Sequence, residues 1–217
     1  MVPRGSRVLE IGCSTGRTSG LLRERGCRVV GVEINQNAAR EARRHLERVV
    51  VGNIEEPSVL AEVAGGYDRV IVADVLEHLI EPQRVLANLR GFLRPGGEIV
   101  ISLPNIANWR IRILLLAGKW QYGFGGILDE DHMKFYTLKS ARKLVEGAGY
   151  RVVGFSTTST RMPYFFTKVL PTVFAVQFLF RIRRRDDAAV WERQTDESLP
   201  AAAEEPVATP AARLAGG

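Results

Sequence analysis

Apolar positions in this chain gather into short continuous runs separated by amphipathic stretches. Four runs bounded by turn residues, at 7–11, 28–32, 69–73 and 98–103, predict strands buried on both faces, since a strand with one wet face would alternate instead. A shorter run at 49–51 predicts a fifth. Between them the period changes. Residues 16–25 place Leu21 and Leu22 on one face, 37–46 are rich in helix formers, and 82–93 repeat Val85, Leu86, Leu89, Phe92 and Leu93 at helical spacing. Pro82 suits a first helical turn, and RPGG at 94–97 predicts a stop before the next strand.

This alternation predicts an α/β architecture, a parallel sheet covered by helices on both faces. Ligands of such sheets lie outside the carboxyl ends of the strands, where strand order reverses. After Leu103 the rhythm changes. Residues 104–131 form a long interruption with a helical stretch at 106–117 and a glycine-rich turn, GFGG, at 123–126. A helix is predicted at 137–148, with Leu138, Ala141, Leu144 and Val145 inward and Gly149 closing it. Residues 150–157 and 173–182 are read as two further strands.

The first strand ends in VLEIGCSTG, Val8 to Gly16. Gly12 and Gly16 allow backbone conformations and approaches that a Cβ would block. A dinucleotide site calls for G-x-G-x-x-G, but Ser14 stands at the second glycine and Arg17 at the third, which argues against NAD. A ligand carrying a carboxylate and an ammonium fits better, the first on helix-end amides and the second on acceptors such as Glu10. Glu33, ending the second strand in VVGVEI, is placed to accept both hydroxyls of a ribose.

With those acids and that turn, VLEIGCSTG, VVGVEI, VGNIEE, YDRVIVADVLEHL and LRPGGEIVISLPN closely resemble the successive motifs of class I S-adenosylmethionine-dependent methyltransferases that act on small molecules. The likeness covers about residues 6–153. It implies a Rossmann-like, doubly wound, seven-stranded, mostly parallel sheet with an antiparallel last strand, and S-adenosyl-L-methionine as methyl donor. It also implies that Glu10, Gly12, Cys13, Ser14 and Gly16 hold the methionine part, Glu33 with Ile34 the ribose, and Asn53 with Ile54 the adenine. Asp74 and Val75 would close the pocket. The family usually has an acid where Asn53 stands, whose amide oxygen accepts with less charge assistance. It also usually has helices ahead of the first strand. Residues 1–6 hold none, so cover of the substrate is expected from the 104–131 insertion.

Methyl transfer from a sulfonium is an in-line displacement, so the protein supplies alignment and, for a hydroxyl acceptor, a base. His132, within DEDHMKFYT, is the expected base, with an ordinary loop contact as the alternative. His78, beside Glu77 in DVLEHL, and the aromatics Trp109 and Tyr122 are expected on the substrate side. Glu77, His78, Asp131 and His132 could chelate a hard divalent ion, but nothing in the spacing demands it and no metal is expected.

Charge narrows the partners. The acids and arginines of residues 186–217, seven and two, leave 28 bases against 17 acids, about +11, in the body. An anionic partner and a merely soluble Arg-rich surface both fit that balance. A small-molecule acceptor, most simply methylated on oxygen, is expected. Nucleic acid is not, because no aromatic and basic stacking surface stands out. The apolar stretch 163–180 is interrupted by Lys168, Pro171 and Gln177 and predicts no transmembrane segment. Peripheral membrane contact through Phe165, Phe166 and the following arginines is the lesser alternative. Cys13 and Cys27, on core elements with no signal segment ahead of them, fit a reducing cytoplasm. Residues 1–185 are thus expected to form the methyltransferase domain. The Ala, Pro and Glu-rich tail, 186–217, buries too little to order itself.

Overall fold

In the computed structural model, which describes residues 1–123, 125–159 and 164–187, strands β1 (Arg7–Ile11), β2 (Arg28–Glu33), β3 (Arg48–Val51), β4 (Tyr67–Ala73) and β5 (Leu93–Pro104) pair in parallel. They are joined by β6 (Tyr150–Thr158) and β7 (Gln177–Arg184) in one seven-stranded sheet of order β3-β2-β1-β4-β5-β7-β6. β7, last in sequence, runs antiparallel to both of its neighbours. The helices in chain order are α1 (Arg17–Glu24), α2 (Gln36–Ala42), α3 (Pro57–Ala61), α4 (Pro82–Leu89), α5 (Trp109–Leu116), α6 (Leu138–Gly147), α7 (Tyr164–Val169) and α8 (Pro171–Phe174). No helix among the described residues is long and apolar enough to cross a membrane.

Strand periodicity sorts the core onto two faces. Val8, Val29 and Val49 pack with Leu22, Ala39, Ala42 and Leu46 under α1 and α2. Leu9, Ile11, Val30, Val70 and Ile99 point the other way, onto Val59, Val85, Leu86, Leu89 and Val145. The buried Tyr150 hydroxyl donates to the Leu86 carbonyl at 2.8 Å, tying β6 to α4. Thr137 caps α6 through a reciprocal box with Ser140.

Several boundaries differ from the sequence expectation. β5 begins at Leu93 rather than Glu98: Leu93 pairs with Tyr67, RPGG bulges out, and pairing resumes at Glu98 with Arg69. Pro and Gly there break the ladder without ending the strand. α3 was not expected, being too short to show a period. The strand expected at 173–182 starts only at Gln177, because Pro171 opens a helical turn, α8, in its place. Phe124, Pro163 and the expected tail beyond Asp187 lie outside the described residues.

Candidate functional site

Strand order reverses at β1, and the carboxyl ends of β1 to β4 surround a cavity of about 340 Å³. Ile11 and Gly12 line it from β1, Glu33 and Ile34 from β2, and Gly52, Asn53 and Ile54 from the turn after β3. Asp74, Val75 and His78 close the side after β4. Eight expected residues therefore share one wall: Gly12, Glu33, Ile34, Asn53, Ile54, Asp74, Val75 and His78.

Gly12 sits at φ 68°, and a Cβ there would stand 2.5 Å from Val75 Cγ2. Only glycine keeps that gap open. The buried Glu33 carboxylate accepts from the Ser14 amide at 2.7 Å and the Asn35 amide at 2.9 Å, so it fixes the glycine turn while facing the cavity. Asn53 Oδ1 accepts from the Glu55 amide at 3.0 Å, and Glu55 in turn accepts from the Glu81 amide at 2.7 Å. Asp74, at φ 53°, is held by Ser102 Oγ at 2.7 Å and Gln177 Nε2 at 2.8 Å, both on Oδ1. Glu55, Ser102 and Gln177 were not expected at the site from the sequence. A Gln on a distant strand carries no local signal that it will reach Asp74.

Glu10, Cys13, Ser14 and Gly16 do not line this cavity. Alternation along β1 turns Glu10 toward α1, where it accepts from Ser19 Oγ. Burial raises its pKa, opposed by that hydrogen bond. Burial also pushes the Cys13 thiol up to about 12, with Glu10 and Glu33 adding to the effect, so the thiol is unreactive. Ser14 and Gly16 shape the turn itself, both at positive φ.

Behind the β4 side lies a polar cluster built on the buried Glu77. His78 Nδ1 meets the Asp131 carbonyl at 3.0 Å, and His132 Nδ1 meets the Ile127 carbonyl at 3.2 Å. A carbonyl only accepts, so each neutral ring carries its proton on Nδ1 and leaves Nε2 basic. The rings are 4.8 Å apart at their centroids, and His132 Nε2 is 3.9 Å from Glu77 Oε1. Glu77 is fully buried, and neither carboxyl oxygen has a hydrogen-bond partner among the described residues. Burial raises its pKa to about 8, with Asp74 and Asp129 adding to it. His132, the expected base, thus stands behind His78 rather than on the cavity wall. One ligand atom from each of Glu77, His78 and His132 lies within 4.8 Å of the others, a set able to hold a cation.

The insertion forms a second, more apolar cavity of about 510 Å³ under α5, lined by Trp109, Ile113, Leu114, Ile127, Leu128 and Val176 among others. Tyr122 lies outside the lining of both cavities, its ring 5.9 Å from Trp120.

A sheet of this order, with its cavity over β1 and β4 and an acid ending β2, is the architecture of the class I S-adenosylmethionine-dependent methyltransferases. Residues 2–154 match the model of a methyltransferase domain, and the chain belongs to that family. Among curated proteins it is similar to the ubiquinone biosynthesis O-methyltransferase of Coxiella burnetii (strain RSA 331 / Henzerling II), 25% identical over 155 residues, 69% of this chain and 65% of that protein. It is 28% identical to the Aeromonas salmonicida (strain A449) protein of the same name over 152 residues, 68% of this chain and 64% of that one. The chain thus spans just under two thirds of these relatives' length. Its fold is similar to magnesium protoporphyrin IX methyltransferase from Synechocystis PCC 6803 with bound SAH, at TM-score 0.58 and 20% identity, covering 83% of this chain and 75% of that one. A methyltransferase structure from Methanosarcina mazei superimposes at TM-score 0.61 with 15% identity, over 84% and 94% of the two chains. The family uses S-adenosylmethionine.

Proposed function

We propose that the protein transfers a methyl group from S-adenosylmethionine to an oxygen of a small, largely apolar acceptor. The observation that carries this reading is the histidine on the wall of the strand-end cavity, His78, backed by His132 and Glu77. Bound donor supplies a methyl group already activated on sulfur. Glu33 accepts from the ribose hydroxyls, and Asn53 and Ile54 flank the adenine. Gly12, Ser14, Gly16 and Cys13 present the turn backbone to the methionine part, and Glu10 holds that turn from behind through Ser19. Asp74 and Val75 close the pocket. The cavity under α5, with Trp109, takes the apolar part of the acceptor, and Tyr122 stands further out on the same insertion. The names of the curated relatives support oxygen as the methylated atom.

His132 Nε2 is the basic nitrogen, and because His78 and not His132 lines the cavity, the acceptor's proton passes to it through one water held beside His78. His132→Ala should lower turnover by about 10² to 10⁴, the usual contribution of a general base, with donor affinity unchanged. Single-turnover rates beside calorimetric donor binding read this. A folded His132→Ala enzyme with full activity removes the base, and loss of donor binding makes the residue structural.

The three convergent ligand atoms favour a second reading. A divalent cation on Glu77, His78 and His132 would acidify a hydroxyl bound to it. Activity abolished by a chelator and restored by one metal selects that reading; activity indifferent to chelation leaves the base.

A further inference from the structure

We propose that the face formed by α5, α7 and α8 seats the protein on an anionic lipid bilayer. α5 reads WRIRILLL, and only Ile111 on it is buried. Leu115 and Leu116, which line neither cavity, stand 49% and 89% exposed. A helix that merely covered the domain would bury a stripe of such residues. On α7 and the residue after it, Phe165, Phe166, Val169 and Leu170 are also exposed.

The two helices are anchored on the same few residues. Asn108 Nδ2, at the start of α5, donates to the Ala175 carbonyl at 2.8 Å, and Asn105 Nδ2 donates to the Thr172 and Ala175 carbonyls at 3.2 and 2.9 Å. α8, which contains Thr172, carries Phe174, whose ring lies 5.6 Å from that of Phe166 on α7. The start of α5 is thus tied to α8, and α8 packs on α7.

Charge selects the occupant. No Asp or Glu occurs between Glu98 and Asp129, nor between Glu146 and Asp186, so both segments carry bases alone. Arg110, Arg112, Lys119 and Lys168 are exposed among the apolar residues. Trp120 and Tyr122, also partly exposed, are side chains that settle at headgroup depth. A two-fold dimer through this face would set the cationic rim against itself. A polyanion such as RNA would leave the exposed Leu and Phe side chains without a partner. A bilayer of anionic lipids satisfies both features: short helices lie in its interface, apolar side chains enter the acyl boundary and bases meet headgroups. This inference does not depend on which acceptor is methylated.

Co-sedimentation of the full chain with vesicles tests it. Binding to phosphatidylcholine mixed with phosphatidylglycerol, absent on phosphatidylcholine alone and reversed by salt, is expected. Lys119→Ser and Lys168→Ser should each weaken partitioning about fivefold, the worth of one base near an anionic surface. Leu116→Glu combined with Phe165→Glu should abolish it, with the donor-induced thermal shift kept as the measure of fold. Should that variant fail to fold, brominated acyl chains must still quench tryptophan emission of the Trp191→Phe protein. Absence of binding or of quenching overturns the proposal. So does a concentration-dependent dimer that Leu116→Glu dissolves, or oligonucleotide binding that the lysine variants weaken and Leu116→Glu leaves unchanged.

Discussion

Glu77 shows at the scale of one residue what a sequence conceals. DVLEHL announces an acid and a histidine at a strand end, which drew attention to both, but not their directions. The single 3₁₀ turn at Leu76–His78 sends His78 to the cavity and Glu77 into the interior. The placing of Glu33, Asn53 and Asp74 on the cavity was legible because each ends or closely follows a strand. The burial of Glu77 follows from packing that no local pattern encodes. Its consequence is measurable. Burial lifts its pKa from 4.5 in the unfolded chain to about 8 in the folded one, so stability is full below the first value and drains away as pH rises through the second. Each pH unit in that window costs at most about 1.4 kcal/mol. Glu77→Gln removes the titration. With chelator present, the Tm of Glu77→Gln minus that of the parent protein should grow steadily between pH 5 and 8, read by scanning calorimetry. A constant difference would mean that His132 keeps the carboxylate charged throughout.

Elements were legible in proportion to how far their own residues determine them. β1 matches its apolar run residue for residue, and β2 and β4 match to within one end or the other, because both faces are buried and the pattern has no rival. The later segments are ambiguous for a physical reason. Residues 164–182 are apolar enough for strand or helix, and the choice is made by Pro171 and by the Asn105 and Asn108 side chains that capture the carbonyls of Thr172 and Ala175. Asn108 works twice, since its Oδ1 also caps α5 by accepting from the Arg110 amide at 3.0 Å. Asn108→Ala should therefore cost about 1 to 2 kcal/mol, at the upper end for a lost cap. Amide exchange in α5 should quicken, while exchange in β1 and β4 follows only the global loss. If α5 exchange is unaltered, the helix is held by its apolar contacts with the second cavity instead.

On the scale of the whole molecule, the strand-end cavity belongs to the sheet rather than to any one motif. Gly12, Glu33, Asn53 and Asp74 stand at or just past the ends of four strands and meet only because β1 lies between β2 and β4. The resemblance of the motif series carried that arrangement. The pairing of His78 with His132 depends on the chain folding back after the 104–131 insertion, where the Met133 and Lys134 amides donate to the Glu77 carbonyl at 2.9 Å each, and spacing along the chain gave no measure of that return. A ligand spanning four strands should stabilise the entire body. At 100 times its Kd, S-adenosylhomocysteine should add about 2.7 kcal/mol, which raises Tm by about 5–11 °C in a domain of this size. Glu33→Ala removes the acceptor for the Ser14 and Asn35 amides as well as for the ribose, so its ligand-free Tm falls too, and the difference between the two melts is the quantity to read. Loss of hydrogen bonds to a charged group weakens binding by about 1.5 to 3 kcal/mol. At the same ligand concentration the thermal shift should then drop to about half or less. A full shift in Glu33→Ala would place the ribose elsewhere and take the donor site from the end of β2.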